Sequence, residues 1–140
     1  MYEDDLAKVP LFTELGKREL QRIGAVCREQ RYAAGDPLVW QGTPGTGFFV
    51  ITAGKVRIMQ QRADGDTRQL NVLGPGDTFG EMALLDELPR STTALAVEPT
   101  TALVLPVWDF RAILKEDSEI ALGLLKALSR RLRAVEQSQE

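Results

Sequence analysis

Between residues 6 and 27, Leu11, Leu15, Leu20, Ile23 and Val26 recur at the spacing that puts side chains on one face of a helix. This predicts a helical start, with Thr13 placed to cap a short first turn, although Gly16 and Gly24 interrupt the pattern. Beyond Gly35 the periodicity shortens. Runs at 38–41, 48–52, 55–61, 68–73, 92–97 and 101–105 read as strands. Turn residues separate them, at Gly35-Asp36-Pro37, Thr43-Pro44-Gly45, Ala53-Gly54, Asp64-Gly65 and Gly74-Pro75-Gly76. Many short strands at even spacing predict a sandwich or small barrel, because closing a sheet removes its exposed edges.

After residue 105 the helical period returns. Pro106 suits a first helical position, and Val107, Phe110, Ile113 and Leu114 form one apolar stripe. Asp117-Ser118-Glu119 supplies a cap and acids for the positive end of a second helix. In that helix Ala121, Leu125, Leu128, Leu132 and Val135 repeat at alternating steps of four and three, the seam of a coiled coil over about two heptads. Such a seam asks for a partner helix; the alternative is that it packs on its own barrel, with Leu122 and Leu124 widening the apolar surface. Lys126, Arg130, Arg131 and Arg133 read as a solvated face.

Composition narrows the function classes. The 140 residues, 44% apolar and 26% charged, fit one soluble globular domain. There is no histidine and a single cysteine, Cys27. His-based acid–base catalysis, Ser-His-Asp and Cys-His nucleophiles, and zinc sites built on His or several Cys are therefore excluded. A net charge of −3 argues against grasping nucleic acid nonspecifically, so any anion is bound locally. The acidic start Met1-Tyr2-Glu3-Asp4-Asp5 is unlike a signal peptide, and no apolar run reaches the ~20 residues of a membrane span. With a lone thiol as well, the expectation is a cytoplasmic protein that uses no membrane and no metal.

One stretch carries chemistry, residues 76–93. Glycine-bounded coil leads into good helix formers from Glu81 to Leu85, and Pro89 stops them, so only one or two helical turns fit. Unpaired N–H groups at the start of such a turn attract an anion, and Gly80 lets the backbone approach without a Cβ in the way. Arg90, just past the far end, offers a guanidinium fork suited to two phosphate oxygens, and Ser91 adds a hydroxyl. Glu81 would be repelled by a phosphate unless it served another part of the ligand, such as a sugar hydroxyl. The alternative is that Gly80 only makes a turn and that Glu81 and Arg90 form an internal ion pair.

This stretch resembles the phosphate-binding cassette of the cyclic nucleotide-binding domain family. The segment Leu38-Val39-Trp40-Gln41-Gly42-Thr43-Pro44-Gly45-Thr46-Gly47-Phe48-Phe49-Val50-Ile51-Thr52-Ala53-Gly54 is similar to that family's other signature. The resemblance implies an eight-stranded β jelly roll (31–105, cassette 79–92), with an N-terminal helical segment (1–30) and two C-terminal helices (106–140). It implies a cyclic nucleotide ligand, cyclic AMP favoured over cyclic GMP, with no cofactor and no catalysis. By position, Glu81 would accept the ribose 2′-hydroxyl and Arg90 would pair with the cyclic phosphate. Backbone N–H groups of Gly80, Glu81, Ala83 and Ser91 would help cradle it. Met82 and Thr92 would border the ligand, Ile58 and Leu70 would wall the purine, and Leu84 would be the apolar hinge. Thr92 departs from the family's usual alanine. Residues 133–138 are the candidate lid over the base, with Val135 an apolar cap and Arg133 or Glu136 a polar one; the alternative is an exposed helix end. The resemblance further implies a regulatory module that moves its last helices, pairs as a homodimer through the final helix and does not touch DNA itself. It would be either freestanding or the sensor half of a longer transcription regulator. The competing class is a jelly-roll scaffold that binds other proteins without responding to a nucleotide.

Overall fold

A computed structural model describes residues 2–86 and 88–138; Met1, Glu87, Gln139 and Glu140, within the expected 1–30, 79–92 and 106–140 segments, lie outside the described residues. Two short helices, α1 (Glu3–Ala7) and α2 (Lys17–Gly24), flank a single 3-10 turn at Pro10–Phe12. Eight strands follow: β1 (Arg28–Tyr32), β2 (Pro37–Val39), β3 (Gly47–Ala53), β4 (Val56–Gln61), β5 (Thr67–Leu73), β6 (Thr78–Phe79), β7 (Thr93–Ala96) and β8 (Thr100–Pro106). The four-residue helix α3 (Ala83–Asp86) sits between β6 and β7, and α4 (Val107–Glu116) and α5 (Ser118–Ser138) close the chain. The strands form two antiparallel four-stranded sheets in the orders β1-β8-β3-β6 and β2-β7-β4-β5. This is the eight-stranded jelly roll with flanking helices.

The N-terminal segment departs from the continuous helical pattern. Pro10 opens a 3-10 turn because it has no N–H to continue a helix, and Gly16, in extended backbone, starts α2 while its N–H donates to Glu19 Oε1 at 3.1 Å. Thr13 caps no helix start: its hydroxyl donates back to Pro10 O. Leu11, Leu15, Leu20 and Ile23 nevertheless all enter one apolar cluster, so their helical spacing reflected a shared destination rather than one helix. The first strand begins at Arg28, three residues inside the segment expected to be helical. Pro106 ends β8 and stands just before α4.

Two clusters make the core. One lies between the β3–β8 sheet and the helices, where Phe12 meets Phe48 edge-on at 6.2 Å and Phe110 at 5.9 Å, with Leu84, Ile120 and Leu124 packed around them. The other fills the roll, with Ile51, Val56, Ile58, Leu73 and Ala94. Burying each large side chain contributes roughly 1.5–3 kcal/mol, so the cassette helix is anchored through Leu84, which is fully buried.

Asp117 joins the ends of the chain. Buried between α4 and α5, it accepts from Arg18 Nη1 at 2.9 Å and Nη2 at 3.2 Å, from Arg22 Nη1 at 3.0 Å, and from the Ile120 N–H at 3.4 Å. The last contact caps α5 as the sequence predicted. The Arg18 hydrogen bonds, outweighing burial, hold this carboxyl well below the usual carboxylate range, with Arg22 adding to them. A lowered folded-state value means stabilisation that is complete above the ordinary value of 3.8 and lost as pH falls through the folded one. Asp117→Asn is expected to melt below the wild type at neutral pH. Acidifying below about pH 4 should shrink the difference, which paired melts across that range would show.

In α5, Ile120, Gly123, Leu124 and Ala127 face the domain, and a Cβ at Gly123 would overlap the Leu15 side chain. The seam lies elsewhere: Leu125 and Leu132 are 61% and 60% exposed, Val135 is exposed, and Ala121 and Leu128 are half-buried. The stripe as a whole therefore does not pack on its own barrel. Residues 131–138 are exposed throughout. Among the described residues, no helix is long and apolar enough to cross a membrane.

Candidate functional site

Strand β6 pairs with β3 for two residues, Thr78 and Phe79, and ends where Phe79 stacks on Phe49 at 4.5 Å. The chain then turns at Gly80, whose φ of +84° favours glycine. A Cβ there would overlap the guanidinium of Arg90, so the missing side chain is the space that Arg90 occupies. Helix α3 follows, and residues 88–92 return beside it. Together these segments enclose a cavity of about 510 Å³.

Seven of the nine residues picked from the sequence line this cavity: Gly80, Glu81, Met82, Ala83, Arg90, Ser91 and Thr92. Two do not. Ile58 is buried in the roll's core opposite Ala94, and Leu70 is 44% exposed on β5, beside an irregularity where Ile58 pairs with Asn71 and Met59 with Gln69. The wall instead includes Val39, Thr78, Phe79, Asp86, Leu88 and Pro89. Most of these belong to the same 76–93 stretch, whereas Val39 arrives through the pairing of β2 with β7.

Arg90 dominates the electrostatics. It is 9% exposed, its Nη2 donates to Gly47 O, and its guanidinium carbon stands 5.7 Å from the Phe49 ring centroid. Its Nε is buried without a hydrogen-bond partner. Among the described residues no carboxylate pairs with it. Burial lowers its pKa below the ordinary arginine value. A buried cation left without a counter-charge is costly, and an anion in the cavity would offset that cost.

Glu81 does not neutralise Arg90, which removes the internal-ion-pair alternative. Its Oε2 accepts the Leu11 N–H at 3.2 Å, and its Oε1 accepts Arg131 Nη2 at 2.9 Å. Arg131, while exposed as expected of a solvated face, thus also reaches the cassette, where its Nη1 lies 3.9 Å from Met82 Sδ. Arg130 likewise pairs with Glu14. The sequence held no sign of these partners, because α5 meets the N-terminal turn and the cassette only in the folded chain. The Ala83 N–H, expected to cradle a phosphate, donates to Gly80 O at 3.1 Å and closes the cassette turn. The candidate lid residues 133–138 are exposed and none of them lines the cavity.

The family model for the cyclic nucleotide-binding domain matches residues 29–117. The chain belongs to the cyclic nucleotide-binding domain family. This domain is 39% identical over 124 residues to the cyclic AMP receptor protein of Thermus thermophilus, a match covering 89% of this chain and 57% of that protein. Its fold superposes with a TM-score of 0.88 on the N-terminal domain of a transcriptional regulator from Streptomyces coelicolor A3(2), at 35% identity and 96% of each chain. The regulatory domain of Toxoplasma gondii PKA, solved with cAMP, is 31% identical at a TM-score of 0.74, over 79% of this chain and 42% of that one. The domain spans little more than half the length of the curated relatives it matches.

Proposed function

We propose that this domain senses a 3′,5′-cyclic nucleotide, cyclic AMP in preference to cyclic GMP, and catalyses no reaction on it. One observation carries the reading: Arg90 is buried beside a cavity with an unpartnered Nε and no carboxylate mate among the described residues. The cavity's size falls within the range of about 300–1,000 Å³ common for small-molecule sites. In this reading Arg90 takes the cyclic phosphate and Glu81 the ribose 2′-hydroxyl. Ser91 adds its hydroxyl, with backbone N–H groups of the cassette as further donors. Thr92 borders the sugar-phosphate, the apolar residues Val39, Phe79 and Leu88 line the cavity, and Ile58 and Leu70, on β4 and β5, are proposed as the wall that the purine meets when bound. The names of the Thermus relative and the Toxoplasma complex favour the adenine ligand.

Signalling follows from what Glu81 already holds. Its carboxylate joins the cassette to Leu11 and to Arg131 on α5, so a sugar hydroxyl arriving there acts on both helical ends of the domain. A ligand shifts such an equilibrium only through its difference in affinity between the two arrangements. The length of the relatives supports a role as the sensor half of a longer, cytoplasmic transcription regulator, with DNA contacts made outside these residues.

Calorimetric titration with cyclic AMP, cyclic GMP and 5′-AMP tests the reading. Heat with the cyclic nucleotides and none with the open monophosphate is expected; silence from both cyclic forms up to high micromolar concentration would refute it. The exposed seam is proposed to pair with a second copy. Leu125→Lys with Leu132→Lys should therefore convert a dimer into a monomer in sedimentation velocity.

A further inference from the structure

Strand β7 pairs with β4 down to Met59 opposite Thr93 and stops there, although β4 runs on to Gln61. Continued by two more residues, the ladder would place Ser91 opposite Gln61 and zip residues 90–92 onto the sheet, away from the cavity. The side chain of Gln41 holds that place. Its Nε2 donates to Gln61 O at 2.9 Å, and the Gln61 N–H donates to its Oε1 at 2.7 Å. A carboxamide here reproduces the paired exchange of N–H and C=O between directly opposed strand residues. The Gln41 N–H also donates to Thr93 Oγ1 at 2.9 Å, fixing the point where β7 ends.

The next two residues hold Arg90 by its backbone. Gly42 N–H donates to Arg90 O and Arg90 N–H donates to Thr43 O, both at 2.8 Å. The path therefore runs from β4 through the Gln41 carboxamide to residues 42–43, and from there to the backbone that carries the guanidinium. We propose that Gln41 is a positioning residue for Arg90: it stands in for the missing β7 residue and satisfies Gln61, so that residues 90–92, tied to β4 through the Gln60 side chain donating to Ser91 O at 3.3 Å rather than through the ladder, turn into the cavity. This role rests on the reading of the cavity as a cyclic-nucleotide site, which Gln41 itself does not line.

Two variants test it. Gln41→Ala removes both hydrogen bonds, and its affinity for cyclic AMP should fall about tenfold. In the unliganded protein, amide exchange should quicken about tenfold at Gly42 and Arg90 and stay unchanged at Val50 and Leu103 in the other sheet. Gln41→Glu should bind as poorly as Gln41→Ala at about pH 7, where the carboxylate cannot donate to Gln61 O. Near pH 4 its protonated carboxyl both donates and accepts, so its affinity relative to wild type at the same pH should recover. A merely structural defect would show no such convergence. Unchanged exchange at Arg90 in Gln41→Ala, or a Gln41→Glu ratio that ignores pH, overturns the proposal. Should the wild type bind no cyclic AMP, the functional reading fails, and the exchange rates alone still decide whether Gln41 positions Arg90.

Discussion

Arg90→Met is expected to weaken cyclic AMP binding by about thirtyfold to a few thousandfold, toward the detection limit of calorimetry, while melting no lower than the wild type. Losing one member of a buried charged pair costs about 2–5 kcal/mol, enough for that loss. The unliganded protein, by contrast, holds a 9% exposed guanidinium with an unpartnered Nε. Replacing it with an apolar chain of similar length removes a desolvation penalty and keeps the contact with Phe49. Arg90→Lys keeps the charge but not the planar fork, and its affinity should fall between the two. Thermal melts with nucleotide sharpen the contrast: at a hundred times the wild-type Kd the wild type gains about 2.7 kcal/mol, and Arg90→Met gains less than about 1 kcal/mol. Equal affinity in the two proteins would sink the assignment.

Glu81→Ala is expected to abolish discrimination against 2′-deoxy cyclic AMP. In the wild type the deoxy ligand should bind about ten- to a hundredfold more weakly than cyclic AMP, the range for a hydrogen bond to a charged group. In Glu81→Ala the two ligands should bind alike. Because Glu81 also holds Leu11 and Arg131, the variant loses two internal contacts, and its absolute affinity mixes these effects. Arg131→Ala separates them, since it frees one carboxylate oxygen without touching the sugar contact and should leave the deoxy discrimination intact. Titrating both ligands into the three proteins gives the ratios directly.

Legibility in the sequence followed the reach of each interaction. β3 was readable because its apolar run is buried over Gly47–Ile51 and bounded by glycines. β1, with the sequence Arg-Glu-Gln-Arg-Tyr, was not: as an edge strand paired only with β8 it is largely exposed and needs no apolar alternation. β6 is two residues long and defined by its partner alone. Within the site, the residues of the 76–93 stretch converge because a tight turn and a proline force the chain to double back. The purine wall assigned to Ile58 and Leu70 depended on how two sheets stack, and the structure leaves both outside the cavity. Arg131 and Gln41 were invisible as site neighbours because the residues they touch lie 50 and 20 positions away in the chain.

The clamp on Asp117 bears on how this protein should be handled. Arg18 and Arg22 fasten α2 to the root of α5, and Gly123 seats α5 against Leu15. An affinity tag or surface tether at the amino end therefore loads segments that are bonded to and packed on the long carboxy-terminal helix. A fluorophore or immobilisation point is better placed at the exposed Asp64-Gly65 turn between β4 and β5, which belongs to neither helix.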